Sequence, residues 1–274
     1  MDNIKHYKHP IIFYFLSISI TWLFWFIAAY LSHINSPNNH YSYMSGILEI
    51  IGLISPMAIA FTMMYLDPHL RHDLLSRIFS VSNVKFSYIL IACFLMPISI
   101  VLAQGISIFF GYSIDQFKLS SVTSFSFSLF SAWFMLFLAP ILEELAWHSY
   151  GTDCLRARFN LFTTSIIFGM FWVLWHLPLS FIKGYYHSNT LKTGWLYLLN
   201  FSLSLFPFVL LMNWLYYKAN RNILIAVVFH ITAGFFNEIF STHPDSKIMQ
   251  TAILIILSFF IIYKEQDLFF KREF

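Results

Sequence analysis

Apolar residues run for about twenty positions at a time along this chain, at 11–31, 44–66, 87–110, 124–145, 160–181, 194–217, 222–240 and 248–263. A helix needs about 20 predominantly apolar residues to cross a bilayer, so the pattern predicts about eight transmembrane helices, the last two somewhat short. Within lipid every backbone polar group must be paired inside its own segment, and runs of this length suit helices rather than a β-barrel. The predicted fold class is therefore all-α, a polytopic helical bundle forming a single integral membrane domain over residues 1–274. No internal repeat or low-complexity linker interrupts it. The run at 11–31 follows Lys5 and Lys8. It is too long for the apolar core of a signal peptide, about 7–15 residues, and no small-x-small cleavage site follows, so it is expected as an uncleaved first span.

Composition agrees with this picture. The chain is 58% hydrophobic and 11% charged, and 33 of its 274 residues are Phe. An ordinary soluble domain carries about 25% charged residues, so this surface suits lipid. The net charge of +3 is spread singly between apolar runs and forms no basic patch, which argues against a nucleic-acid partner. With the N-terminus inside, the inner segments hold Lys5, Lys8, Arg71, Arg77, Lys85, Arg156, Arg158, Lys218, Arg221, Lys264, Lys271 and Arg272. The outer loops then hold Lys118, Lys183, Lys192 and Lys247. This asymmetry predicts a multi-pass protein with both termini cytoplasmic. Cys93 and Cys154 have no metal or redox spacing. The inner loop from Asp67 to Lys85, with Leu70, Leu74, Leu75, Ile78 and Phe79 among Arg71, Asp73 and Arg77, suits a short amphipathic helix on the membrane surface.

Ionisable groups inside a bilayer are costly and mark functional sites by default. Within the spans they are Glu49, Glu143, Glu144, His148, His176, His230 and Glu238. Glu49 and Glu238 fall near outer span ends, where snorkelling to the interface would explain them. Adjacent Glu143 and Glu144 lie about 100° apart on a helix and cannot both face lipid. Two carboxylates so placed suit general-base chemistry. His176 follows Trp172 by one turn, and His230 ends the apolar run Ile225–Phe229. Counted from their nearest inner basic residues, Glu143, His176 and His230 lie about 20, 27 and 14 Å deep, so convergence requires helices that tilt or project unequally. Pro56, Pro97, Pro140, Pro178 and Pro207 are expected to kink or end helices. The chain has no HExxH, GxSG or GxGD sequence, which excludes those zinc, serine and aspartyl site types. The glutamates and histidines that remain can activate water, bind a metal, or relay protons as in a carrier.

Glu143-Glu144-Leu145-Ala146-Trp147-His148-Ser149-Tyr150-Gly151 resembles the EExxxR signature, often written EExxWRGY, of CAAX-prenyl-endopeptidase-like membrane proteins. Trp172-x-x-x-His176-Leu177-Pro178 resembles the family's WxxxH motif, and His230 the histidine of its HxxxN or HxxxD motif. The resemblance spans about 120–240, and the group is the CPBP family of CAAX proteases and bacteriocin-processing or immunity proteins. It implies an intramembrane endopeptidase of a bacterial cell membrane, acting on a membrane-associated or peptide substrate that arrives from the membrane or cytoplasmic face. Glu143 would be the general base, His176 and His230 would orient water and stabilise the oxyanion, and Glu144 would pair with residue 148. Trp172 belongs to the second motif. No cofactor is implied; were a divalent metal such as zinc present, Glu143, His176 and His230 would be its ligands. Two positions depart from the pattern. His148 replaces an arginine, and Gly234 replaces the Asn or Asp, with Asn237, seven residues and about 10 Å along the helix from His230, as the nearest substitute. These departures also fit a catalytically weak member that serves as an immunity or partner-binding protein.

Overall fold

The computed structural model describes residues 2–35, 39–78 and 84–272. Twelve α-helices follow one another among them: α1 (Pro10–Ser32), α2 (His40–Tyr65), α3 (Pro68–Ile78), α4 (Phe86–Ile108), α5 (Ala132–Ala146), α6 (Thr152–Arg156), α7 (Leu161–His176), α8 (Tyr186–Thr193), α9 (Trp195–Lys218), α10 (Ile223–Ile239), α11 (Pro244–Lys264) and α12 (Gln266–Phe270). Eight of them are apolar helices over the eight expected runs. Among the described residues, six segments are long and apolar enough to cross a membrane: Pro10–Ser32, His40–Tyr65, Phe86–Ile108, Leu161–Phe181, Trp195–Lys218 and Pro244–Lys264. Ile223–Ile239 is a shorter apolar helix, and the last span, expected to be short, has 21 residues. Large side chains such as Phe94, Ile98, Ile256 and Phe259 are more than half exposed on the outside of the bundle, as a lipid-facing surface requires.

The fourth run departs from its expected bounds. Residues 124–131 are irregular, and the helix starts only where Ser131 caps it by accepting from the Phe134 N–H. The chain stays helical beyond Ala146, through a π-helical turn at Trp147–Gly151 and on into α6. A π turn holds one more residue than an α turn and changes which face the following residues present. Gly151 lies in this turn because α1 presses on it; a Cβ there would stand 2.8 Å from the Phe13 ring. α7 and α10 begin in the same way as α5, with Asn160 and Asn222 accepting from the N–H groups of Thr163 and Ile225. These caps satisfy helix-end donors that lipid cannot. Pro56, Pro97, Pro140 and Pro207 lie inside their helices, and Pro178 lies in the 3-10 turn Leu177–Phe181 after α7.

The helices pack so that α5 lies between α2 and α10, while α9 touches α7, α10 and α11. Both ends of the chain lie at one end of the bundle. There Arg158 donates to Tyr7 O at 3.0 Å and Arg156 to Lys271 O at 3.3 Å. At the opposite, distal end, the 119–131 segment is tied to α10 and α8: Ser120 N donates to Ile239 O, and Asn189 Nδ2 to Ser124 O.

Several polar groups differ from expectation. Glu49 and Glu238 do not snorkel. Each is at most 7% exposed, with Ser45 Oγ donating to Glu49 and both Ser124 N and Oγ donating to Glu238. Hydrogen-bond donors within the bundle supply what water would have supplied. α3 is not a simple surface amphipath either. Leu70 and Leu74 are buried, but so are Asp73 and Arg77, whereas Leu75 is 67% exposed. Its inward face joins a buried ion network in which Arg77 and Arg221 bind Asp153, Arg221 also binds Asp73, and Tyr7, Tyr216 and Tyr217 add hydroxyls. Phe79 of the expected helix lies outside the described residues.

Candidate active site

Glu143 and Glu144 sit on α5 one turn before the π segment and point to different partners. Glu143 Oε2 accepts from Trp172 Nε1 of α7 at 3.0 Å. Glu144 is fully enclosed and both its oxygens are occupied: Oε1 by His230 Nδ1 of α10 at 2.7 Å, Oε2 by His148 Nδ1. The three site helices are thus joined at one level despite their unequal depths by residue count. Trp172 is the hub. Besides Glu143, its ring lies edge-on to His230 at 5.3 Å and 5.7 Å from His176.

The hydrogen bonds fix the state of several rings. His176 Nδ1 lies 2.7 Å from Trp172 O, an acceptor only, so Nδ1 carries the proton and Nε2 is left as an acceptor in the neutral ring. Asn213 Nδ2 donates to Ser165 Oγ, whose own proton goes to Leu161 O, so Asn213 turns its carbonyl oxygen towards His148 Nε2 at 2.9 Å. His148 therefore faces an acceptor on each nitrogen, the pattern that a doubly protonated imidazole satisfies. Its Nδ1 holds Glu144 Oε2 from the motif position at which the family pattern has an arginine.

A cavity of about 460 Å³ opens beside these groups and extends to the distal end. Glu143, Trp172, His176, His230, Gly234 and Asn237 all line it, whereas Glu144 and His148 do not. Apolar side chains such as Met96, Met135, Leu136, Leu205, Phe208 and Leu254 form much of its wall. Asn237 Nδ2 is tied to Ala233 O of its own helix, and Gly234 presents no side chain. Among the described residues no three His, Cys, Asp or Glu side chains are grouped to hold a metal ion.

Sequence reasoning did not single out Asn213, Ser165 and Tyr216, which hold His148 in place. The isolated Asn within the apolar stretch Leu210–Tyr217 was the available signal. His187, which lies between the expected spans at 160–181 and 194–217, also lines the cavity.

A family model described as type II CAAX prenyl endopeptidase Rce1-like matches residues 125–236, the stretch holding α5, α7 and most of α10. CAAX prenyl protease 2 of Methanococcus maripaludis is 34% identical over 272 residues, covering 98% of this chain and 99% of that protein. With a near-full-length relative at that identity, and with Glu143, His176 and His230 meeting at one cavity, the chain belongs to the Rce1-like family of type II CAAX prenyl endopeptidases, membrane-embedded proteases.

Proposed function

We propose that this protein hydrolyses a peptide bond inside the membrane with water activated by Glu143. The observation that carries this reading is the division of labour between the two glutamates. Both oxygens of Glu144 are engaged by histidines, so it cannot take a proton from water without breaking that network. Glu143 has one oxygen oriented by Trp172 and lines the cavity. A water between Glu143 and His176 Nε2 would donate one proton to the carboxylate while the imidazole nitrogen orients it. Its oxygen forms the new bond to the scissile carbonyl carbon. His230, whose Nδ1 rests on Glu144 Oε1, would in its protonated form present Nε2–H to the developing oxyanion. Cleavage of the C–N bond returns the proton from Glu143 to the leaving amine.

The name of the Methanococcus maripaludis relative points to a C-terminal CAAX peptide carrying a prenyl group. The apolar wall of the cavity suits such a chain. The direct test is cleavage of a prenylated CAAX-type peptide by the purified protein in nanodiscs, read by mass spectrometry. Cleavage should vanish in Glu143→Gln. Glu144→Gln should weaken it by loosening His230 and His148. The competing reading, a catalytically weak immunity or partner-binding protein, draws on the bare helix face at Gly234, and it requires that Glu143→Gln leave biological function intact.

The mechanism needs no metal. Zinc present in stoichiometric amount, with activity that follows it, would overturn the glutamate-only chemistry. The distribution of basic residues supports the further reading that both termini face the cytoplasmic side of a cell membrane. A cysteine introduced at Lys8 should then resist an impermeant maleimide in intact cells.

A further inference from the structure

One wall of the cavity is formed by α8, which packs on α9 and on the 3-10 turn after α7. Its residue His187 is 6% exposed and lines the cavity. The ring stacks on His176, with centroids 5.2 Å apart and planes inclined by 22°. Phe201 meets it edge-on at 4.5 Å.

Neither nitrogen of this buried ring has a hydrogen-bond partner. Burial, reinforced by the neighbouring His176, holds its pKa well below the ordinary imidazole range. The ring is therefore neutral, with one N–H to donate and one bare nitrogen to accept. Buried polar atoms in native proteins are nearly always paired, and an exception calls for a physical reason. Other buried side-chain atoms also lack partners, among them Tyr14 Oη, Thr152 Oγ1 and Trp214 Nε1, but of the described residues so marked only His187 lines the cavity. Its unmet donor and acceptor lie one ring-stack from a histidine of the reacting set.

We propose that His187 is a substrate-contacting residue, which donates to a backbone carbonyl and accepts from a backbone N–H of the extended peptide next to the scissile bond. The contact suits peptide in general rather than any one side chain, since every residue other than proline carries both groups. This proposal rests on the endopeptidase reading, and its test separates the two.

The probe is a quenched fluorescent peptide ending in a prenylated CAAX-type sequence, used with the full-length protein in nanodiscs. His187→Phe keeps an aromatic ring against His176 and removes both polar atoms. It should raise KM about tenfold, the effect of losing one or two ordinary hydrogen bonds, while kcat stays within about twofold. His187→Gln restores a donor and an acceptor and should bring KM back to within about threefold of wild type. In a Glu143→Gln background, His187→Phe should weaken binding of the uncleaved peptide by the same factor.

Unchanged KM and binding in His187→Phe would overturn the contact, as would equal losses in the Phe and Gln variants. If the wild type cleaves nothing but Glu143→Gln binds the peptide in a His187-dependent way, the endopeptidase reading falls and the contact stands. If cleavage depends on Glu143 but not on His187, the reverse holds. Absence of both cleavage and binding overturns both.

Discussion

Two buried polar clusters lie at different heights in this bundle and are built on opposite plans. At the terminal end, Asp73 and Asp153 face Arg77 and Arg221, and three tyrosine hydroxyls fill the remaining hydrogen-bonding positions. Charge is balanced two against two. At mid-bundle, the glutamates and histidines are only partly matched. Glu144 is saturated, but Glu143, His176 and His230 keep capacity facing a cavity. Burial alone therefore does not mark a functional group in a membrane protein. What separates a structural cluster from a reactive one is hydrogen-bonding capacity left over and aimed at space.

This comparison can be broken most directly with two isosteric changes. Glu143→Gln should lower peptide cleavage about a thousandfold, within the span of general acid–base contributions, with no fall in melting temperature. Asp153→Asn should do the reverse. Removing one charge from the network leaves two buried guanidiniums to share the single carboxylate of Asp73, an imbalance that costs about 3 kcal/mol. Thermal unfolding in detergent would show this, while the folded fraction should keep its kcat. A large stability loss in Glu143→Gln, or none in Asp153→Asn, would mean that the two clusters are not distinct in kind.

Acid should sharpen the contrast by a smaller amount. Burial by itself would raise the pKa of Asp73 in α3, but Arg77 and Arg221 outweigh it and hold the carboxyl at about 2. An unfolded Asp titrates near 4, so the folded value is the lower one. The stabilisation is complete above about pH 4 and disappears as pH falls through about 2, amounting to roughly 2–3 kcal/mol. Melting temperatures followed from pH 5 to pH 2 should fall more steeply in the wild type than in Asp73→Asn, where Asp153 alone of the pair still titrates. The smallest effect concerns Gly234. A Cβ there would meet only Leu136 Cδ2, at 3.5 Å, so Gly234→Asn can be accommodated. It should speed cleavage about five- to tenfold, less than the 100- to 1,000-fold attributed to an established oxyanion donor.

The number of apolar helices was legible because lipid imposes a length and a composition that periodicity reveals directly. The meeting of Glu143, Glu144, His148, His176 and His230 was legible as a set of misplaced ionisable residues, reinforced by motif order. Two kinds of feature were not. Asp73 and Arg77 read as the polar face of a surface helix and Arg221 as a membrane flank, since a linear pattern cannot tell a solvated arginine from one paired inside the bundle. The late start of α5 was hidden because residues 124–131 interleave uncharged serines with Phe and Leu and contain no Gly or Pro to end the run, while the capping bond of Ser131 marks where the helix begins. Glu49 and Glu238 were misread for a related reason: their serine donors are short side chains whose placement depends on packing.

The π turn at Trp147–Gly151 stands between the two clusters on one continuous helical rod. It acts as a phase shifter. Upstream, the rod presents Glu143 and Glu144 to α7 and α10; downstream, it presents Asp153 to Arg77 and Arg221. Deleting a single residue from the turn would rotate everything beyond it by about 100° relative to the glutamates. The rod could then keep its chemistry or its anchor in register, but not both, so this stretch should resist changes of length far more strongly than changes of side chain.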